Sequence, residues 1–146
     1  MQWDASENAG FTTGEPWLPL APDWREVNVE AQRRDPRSML SLVEALLALR
    51  RREPALSLGS YRTLSVEGDV LVYARAGGDG RAFVVALNLT PEPRTVAFAD
   101  GELPSGGRVV LSTRMDREGE AVGADGELAL QGDEGVVVEL AAPAGA

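Results

Sequence analysis

Apolar residues at Met39, Leu42, Val43, Leu46 and Leu49 recur three and four positions apart, the repeat of one helical face, and Leu40 and Leu47 widen it. The spacing predicts a helix over 36–52. Asp35 stands where its N-cap belongs, and Pro36 sits at the first helical position, where a missing N–H costs nothing. Arg50, Arg51 and Arg52 meet the negative end of the helix dipole, and Pro54 stops the helix. Past Pro54 the pattern shifts to short β-branched runs over 61–66, 70–76, 82–89, 95–98, 108–111, 127–130 and 136–140, which predict strands. Turn signals separate them at Gly68-Asp69, across 77–80, at Asp100-Gly101 and at Asp125-Gly126. Short strands at this spacing predict a mainly β domain, an antiparallel β-sandwich, with 141–146 as a frayed tail.

Residues 1–34 follow neither period. Gly10, Gly14, Pro16, Pro19 and Pro22 interrupt any regular element, so an extended loop is expected there. This stretch holds all three tryptophans, Trp3, Trp17 and Trp24, together with Phe11 and the carboxylates Asp4, Glu7 and Glu15. Loops carried on a scaffold are where binding and catalysis concentrate. A structureless run this long is uncommon in a compact domain, which implies that it needs something further to pack against.

Composition narrows the chemistry. The 146 residues are 44% hydrophobic and 25% charged, as in a soluble globular domain, and contain neither cysteine nor histidine. Disulfides, thiolate or imidazole metal sites, cysteine nucleophiles and histidine general bases are thereby excluded. Every basic residue is arginine, and a net charge of -9, lying mostly after Pro54, repels phosphate backbones and argues against nucleic acid as a partner. No window is long and apolar enough to cross a bilayer, and no signal peptide is visible at the start, so no membrane association and a cytoplasmic location are expected.

Carboxylates remain the only candidate catalytic acids. Two carboxyls flanking a sugar oxygen are what glycoside hydrolysis requires, and Asp4, Glu7 and Glu15 share one loop. The competing role is to satisfy loop backbone N–H groups or to be solvated. Trp3, Trp17, Trp24 and Phe11 offer flat faces of the kind carbohydrates stack on, and equally serve to anchor a loop to a core. The acidic run from Asp116 to Glu127 lacks the order of a calcium loop, and 77–80 lacks the residues of a phosphate cradle; both read as hairpins. Asn88-Leu89-Thr90 fits a glycosylation sequon by accident of a strand end.

Several blocks together carry a resemblance: MQWD at 1–4, NAGFT at 8–12, PWLP at 16–19, VNVEAQ at 27–32, then DPRSML and LRRREPAL around the predicted helix. In order and spacing these resemble the α-glucosidase branch of glycoside hydrolase family 13, oligo-1,6-glucosidases in particular, with trehalose synthase-like enzymes close. The likeness extends more loosely through LNLT at 87–90 and EGVVVEL at 134–140. It implies that 1–54 is the last βα loop and eighth helix of a (β/α)8 barrel and that 55–146 is the C-terminal antiparallel β-domain. Barrel active sites lie among such βα loops, so Trp3, Asp4 and Phe11 are expected at the rim of the substrate pocket. The family's nucleophile and acid/base come from earlier barrel strands, and no residue here matches their motifs. The expectation is therefore a C-terminal fragment with no catalytic residue, no metal and no cofactor of its own. Its partner is an α-glucoside oligosaccharide bound through the missing barrel, and self-association through an exposed helix face is expected where that barrel is absent. A trehalose-forming or other glucosyl-transferring isomerase, and a stand-alone sugar-binding β-sandwich, are the alternatives. The helix departs from the family pattern at Val43-Glu44, where a tyrosine-arginine pair is common.

Overall fold

The computed structural model describes residues 1–98 and 106–141; the turn signal at Asp100-Gly101 and the tail from 142 onward lie outside them. The chain divides into two compact units, Met1–Ala45 and Leu46–Ala146.

The first unit is more regular than its sequence suggests. It contains a 3-10 turn at Glu7–Gly10 and a helix α1 at Val29–Arg34, which corrects the expectation of an unbroken loop over 1–34. Asn28 makes α1 possible: in extended conformation, its side-chain oxygen accepts from the N–H of Ala31 at 2.9 Å. The longer helix α2, Met39–Arg52, starts later than the proline signal implies. Pro36 and Arg37 form a turn closed by the Asp35 carboxylate, which accepts from the Arg37 N–H at 2.9 Å. Ser38 takes over as the cap, its hydroxyl accepting from the N–H of Ser41 at 3.1 Å, so the Asp35-Pro36 start is displaced by three residues. Along α2, Leu42 and Leu49 are buried while Met39, Val43, Leu46 and Leu47 are exposed, so only part of the predicted apolar face is covered.

The second unit is a two-layer sandwich. Strands β1 (Ser60–Glu67), β2 (Val70–Ala76), β3 (Ala82–Asn88), β5 (Gly107–Ser112), β6 (Ala121–Val122) and β8 (Gly135–Leu140) form an antiparallel sheet in the order β1-β2-β3-β8-β5-β6. Strands β4 (Arg94–Ala97) and β7 (Glu127–Leu130) form a second, two-stranded sheet. The two share one core, to which β3 and β8 give Val84, Ala86, Val136 and Val138 and the smaller sheet gives Leu128 and Leu130, with Phe98 just past β4. Seven of these strands follow the sequence pattern, and only two-residue β6 escaped it, being too short to show a period.

The opposite face of the large sheet is also covered near its centre, which is why β3 reads as an almost continuous apolar run. Phe83, Val85 and Val137 are buried there, outside the sandwich core. Leu111 joins them because a register irregularity between Val109 and Leu111 turns the strand, sending Val109 into the core and Leu111 to the other side. The short helix α3, Pro54–Ser57, lies so close to β2 that a Cβ on Gly59 would meet the carbonyl oxygens of Ala55 and Ala76 at 2.4 and 2.5 Å. Glu53, just ahead of α3, has a buried carboxylate, held by Arg52 at 3.0 Å and Arg81 at 2.5 Å. Arg81 also pairs with Glu139, which Arg108 meets at 2.9 Å, so ion pairs run from the α2–α3 junction across β8 to β5.

Candidate functional site

The sequence blocks of the first unit are hydrogen-bonded to one another. The carbonyls of Gln2 and Trp3 accept from the N–H groups of Val29 and Glu30 at 3.0 and 2.9 Å. Those N–H groups are the first two of α1, which have no partner within a helix, and Asn28 satisfies the third. The amide nitrogen of Asn28 donates back to the carbonyls of Trp24 and Arg25 at 3.0 and 3.2 Å, and the residue is buried. MQWD is thus pinned to the start of VNVEAQ by backbone bonds and one asparagine.

A second pin comes from NAG. Asn8, Ala9 and Gly10 all occupy the left-handed region, with φ of 55°, 55° and 63°. Asparagine and glycine tolerate it, but for alanine it costs on the order of 1–2 kcal/mol. The turn aims the Ala9 carbonyl at the MQWD strand, where it accepts from the N–H of Trp3 at 2.8 Å, and Ala9 itself is fully buried. The Asn8 side chain closes the following loop by donating to the carbonyls of Thr12 and Gly14 at 3.3 and 3.0 Å.

Asp4 has a structural assignment in this arrangement. Its carboxylate accepts from the hydroxyl and backbone N–H of Ser6 at 2.5 and 2.9 Å, and these bonds hold its pKa below the ordinary carboxylate value. It lies over Gly10, where a Cβ would come within 2.6 Å of it. A carboxyl kept ionised and doubly engaged is unsuited to donate a proton. Trp3 and Phe11 remain available, 46% and 50% exposed, and Trp17 is 84% exposed, whereas Trp24 is half-buried with the Arg25 guanidinium 4.0 Å over its ring. Of the three residues expected at the rim, Phe11 lines a concavity of about 270 Å³ with Met1, Gln2 and the 16–21 segment, and Trp3 and Asp4 do not line it.

Glu7 and Glu15 are exposed on this loop, and no pair of carboxylates is brought together across it. Among the described residues, no group of three acidic or other metal-ligating side chains gathers into a metal site, and no helix is long and apolar enough to cross a membrane. The residues that sequence reasoning missed are Asn8, Asn28 and Ser38. Each announces itself as a cap or turn former, and each was masked by neighbours that break the surrounding period.

Comparison with known proteins places this geometry. The family described as "Alpha amylase, catalytic domain" matches residues 1–59. Oligo-1,6-glucosidase of Parageobacillus thermoglucosidasius is 44% identical over 73 residues, 50% of this chain and 13% of that protein. The amino acid transporter heavy chain SLC3A1 of Mus musculus is 38% identical over 144 residues, 95% of this chain and 21% of that protein. The crystal structure of trehalulose synthase MutB from Pseudomonas mesoacidophila MX-45 superposes with a TM-score of 0.83 at 36% identity, covering 94% of this chain and 24% of that one. The chain therefore spans about a fifth of the length of the curated relatives it matches.

Proposed function

Because this chain corresponds to the C-terminal part of a glycoside hydrolase family 13 protein of the α-glucosidase kind, we propose that it serves an enzyme acting on terminal α-linked glucose of oligosaccharides. In this reading 1–54 supplies the last loop and helix of the catalytic barrel, and 55–146 is the β-domain attached to it. The reaction is a retaining one, through a covalent glucosyl intermediate on carboxylates that other parts of the protein provide. The chain's own contribution is to shape the rim of the sugar pocket, with Trp3 and Phe11 offering ring faces and Asp4 holding the loop that presents them.

The observation that carries this reading is the double pin on MQWD, by the Ala9 carbonyl on one side and the α1 N-terminus on the other. Backbone strain is spent there on fixing a short aromatic segment, as in a site that must meet a ligand preorganised. Assay of the purified chain on an aryl α-glucoside tests it: no turnover is expected, and turnover abolished by Asp4→Asn or Glu7→Gln would overturn it. Titration with maltose and isomaltose then separates the rim from a self-sufficient sugar-binding module, which would bind at millimolar concentration or tighter.

The likeness to trehalulose synthase favours a second reading, in which the parent transfers glucose within a disaccharide instead of releasing it. Self-association through the exposed residues of α2 is proposed for the chain by itself, and a cytoplasmic location is proposed with it, tested by sedimentation and by cell fractionation.

A further inference from the structure

The outer face of the large sheet carries a groove of about 330 Å³ that the sandwich core does not use. The end of α2 walls it with Leu46, Leu47 and Leu49, and Tyr73, Val85 and Val137 form part of its floor. All of it lies within Leu46–Ala146. Leu46 and Leu47 stand exposed at its lip.

Its charge is as informative as its shape. The charged side chains lining it are Arg50 and Arg75, and no carboxylate joins them, in a chain whose net charge is -9. Arg50 donates to the Leu56 carbonyl at 3.2 Å, and Arg75 donates through Nη2 to the Gly59 carbonyl at 2.9 Å. The Nε donor of Arg75 is buried and has no hydrogen-bond partner. A guanidinium presents its donors in a fixed fork that suits a carboxylate, and a buried donor without an acceptor is a vacancy for one.

We propose that this groove seats one face of an amphipathic helix that lays leucine-like side chains on Leu46, Leu47 and Val137 and sets a carboxylate on Arg75. The helix comes from the catalytic-domain polypeptide that the longer relatives carry, so the proposal rests on the family reading above. An apolar floor with an arginine at its margin is the usual form of helix-in-groove recognition, with side chains one and two turns apart as anchors. A second copy is the poorer occupant, since a two-fold contact across this face sets the arginines of one copy against those of the other.

The test is a titration of the 146-residue chain with a fluorescently labelled helical peptide bearing leucines at i, i+3, i+4 and i+7 and one glutamate. Two further peptides carry glutamine or lysine in its place, so the charge dependence is read without altering the protein. Saturable binding is expected, about tenfold tighter for the glutamate peptide than for the glutamine one. Arg75→Gln removes that difference, Arg50→Gln narrows it, and Leu47→Asp abolishes binding of all three. No saturable binding, equal affinity for glutamate and lysine peptides, or dimers that the peptide does not dissociate would each overturn the proposal. So would binding of dodecanoate in place of the peptides, which would assign the groove to a small amphiphile. Turnover of an aryl α-glucoside would defeat the functional reading and leave this outcome untouched, so the two fail separately.

Discussion

The side-chain oxygen of Asn88 accepts two hydrogen bonds from Thr90, from its backbone N–H at 3.1 Å and from its hydroxyl at 2.8 Å. The amide nitrogen of Asn88 donates to the carbonyls of Glu92 and Gln131, each at 2.8 Å. One buried side chain thus uses both donors and its acceptor to tie the turn after β3 to the turn between β7 and β8. Replacing it strands several backbone groups at once, so Asn88→Ala is expected to destabilise the β-domain by about 2–4 kcal/mol in urea unfolding. The same burial closes the Asn88-Leu89-Thr90 sequon to glycosylation of the folded chain.

Arg117 and Glu134 form the other internal clamp. The Glu134 carboxylate is fully buried and accepts from Arg117 at 3.0 Å and from the Gln131 N–H at 2.7 Å, while Arg117 also donates to the Ala129 carbonyl at 2.8 Å. Glu120, bound to the same arginine, has its pKa lowered by that hydrogen bond. Arg117→Met leaves a buried charge without its partner, and a loss of about 3–5 kcal/mol is expected. Recovery of most of that loss in the double variant with Glu134→Gln would identify the orphaned charge as the cause.

The left-handed turn at Asn8–Gly10 makes a prediction with a position-specific sign. Gly10→Ala sets a Cβ against the Asp4 carboxylate at a φ of 63° and is expected to cost about 1–3 kcal/mol, read as faster cleavage of the 1–34 segment by protease. Ala9→Gly relieves the backbone strain and is expected to leave cleavage unchanged or slower. Equal acceleration by both would show that the turn does not hold the segment.

Acid should weaken the β-domain through Glu139. Hydrogen bonds from Arg81, then Arg108, keep its carboxyl below the ordinary value of 4.5. A carboxyl with a depressed folded pKa contributes stability that is full above 4.5 and is lost as pH falls through the folded value. Thermal midpoints should therefore drop as pH is lowered below about 5, and Glu139→Gln should flatten that drop while lowering the midpoint at neutral pH. An unchanged acid slope in the variant would remove Glu139 from the account.

Helix α2 gives a smaller and separable effect. Ser38→Ala removes the hydroxyl that caps Ser41 and is expected to cost about 1 kcal/mol, whereas Asp35→Ala, which disturbs only the preceding turn, should cost less. The reverse order would return the start of the helix to Asp35.

The β-domain was legible because its strands announce themselves locally. Runs such as 82–88 and 135–140 are long, β-branched and bounded by glycine or aspartate, and a central strand covered on both faces has no other reading. Helix α2 was legible in its period and misplaced at its start, since Asp35-Pro36 and Ser38 are both good starts and only the turn geometry chooses between them. The 1–34 segment was legible only as blocks of residue types. Its order lies in bonds between residues far apart in sequence, such as Trp3 with Ala9 and Gln2 with Val29, which no local period records.

By itself the sequence determined the family resemblance, the antiparallel β-domain, the helix before it, and the absence of cysteine and histidine chemistry, because these follow from residue type and spacing. Tertiary structure alone decided that Asp4 holds a turn, that Asn8 and Asn28 fasten the aromatic loop, and that Arg75 keeps an unpartnered donor at an apolar groove. The reason is physical. Periodicity reports which side of an element faces a core, but a hydrogen bond or a buried charge depends on the distance between chains, and only folding sets that distance.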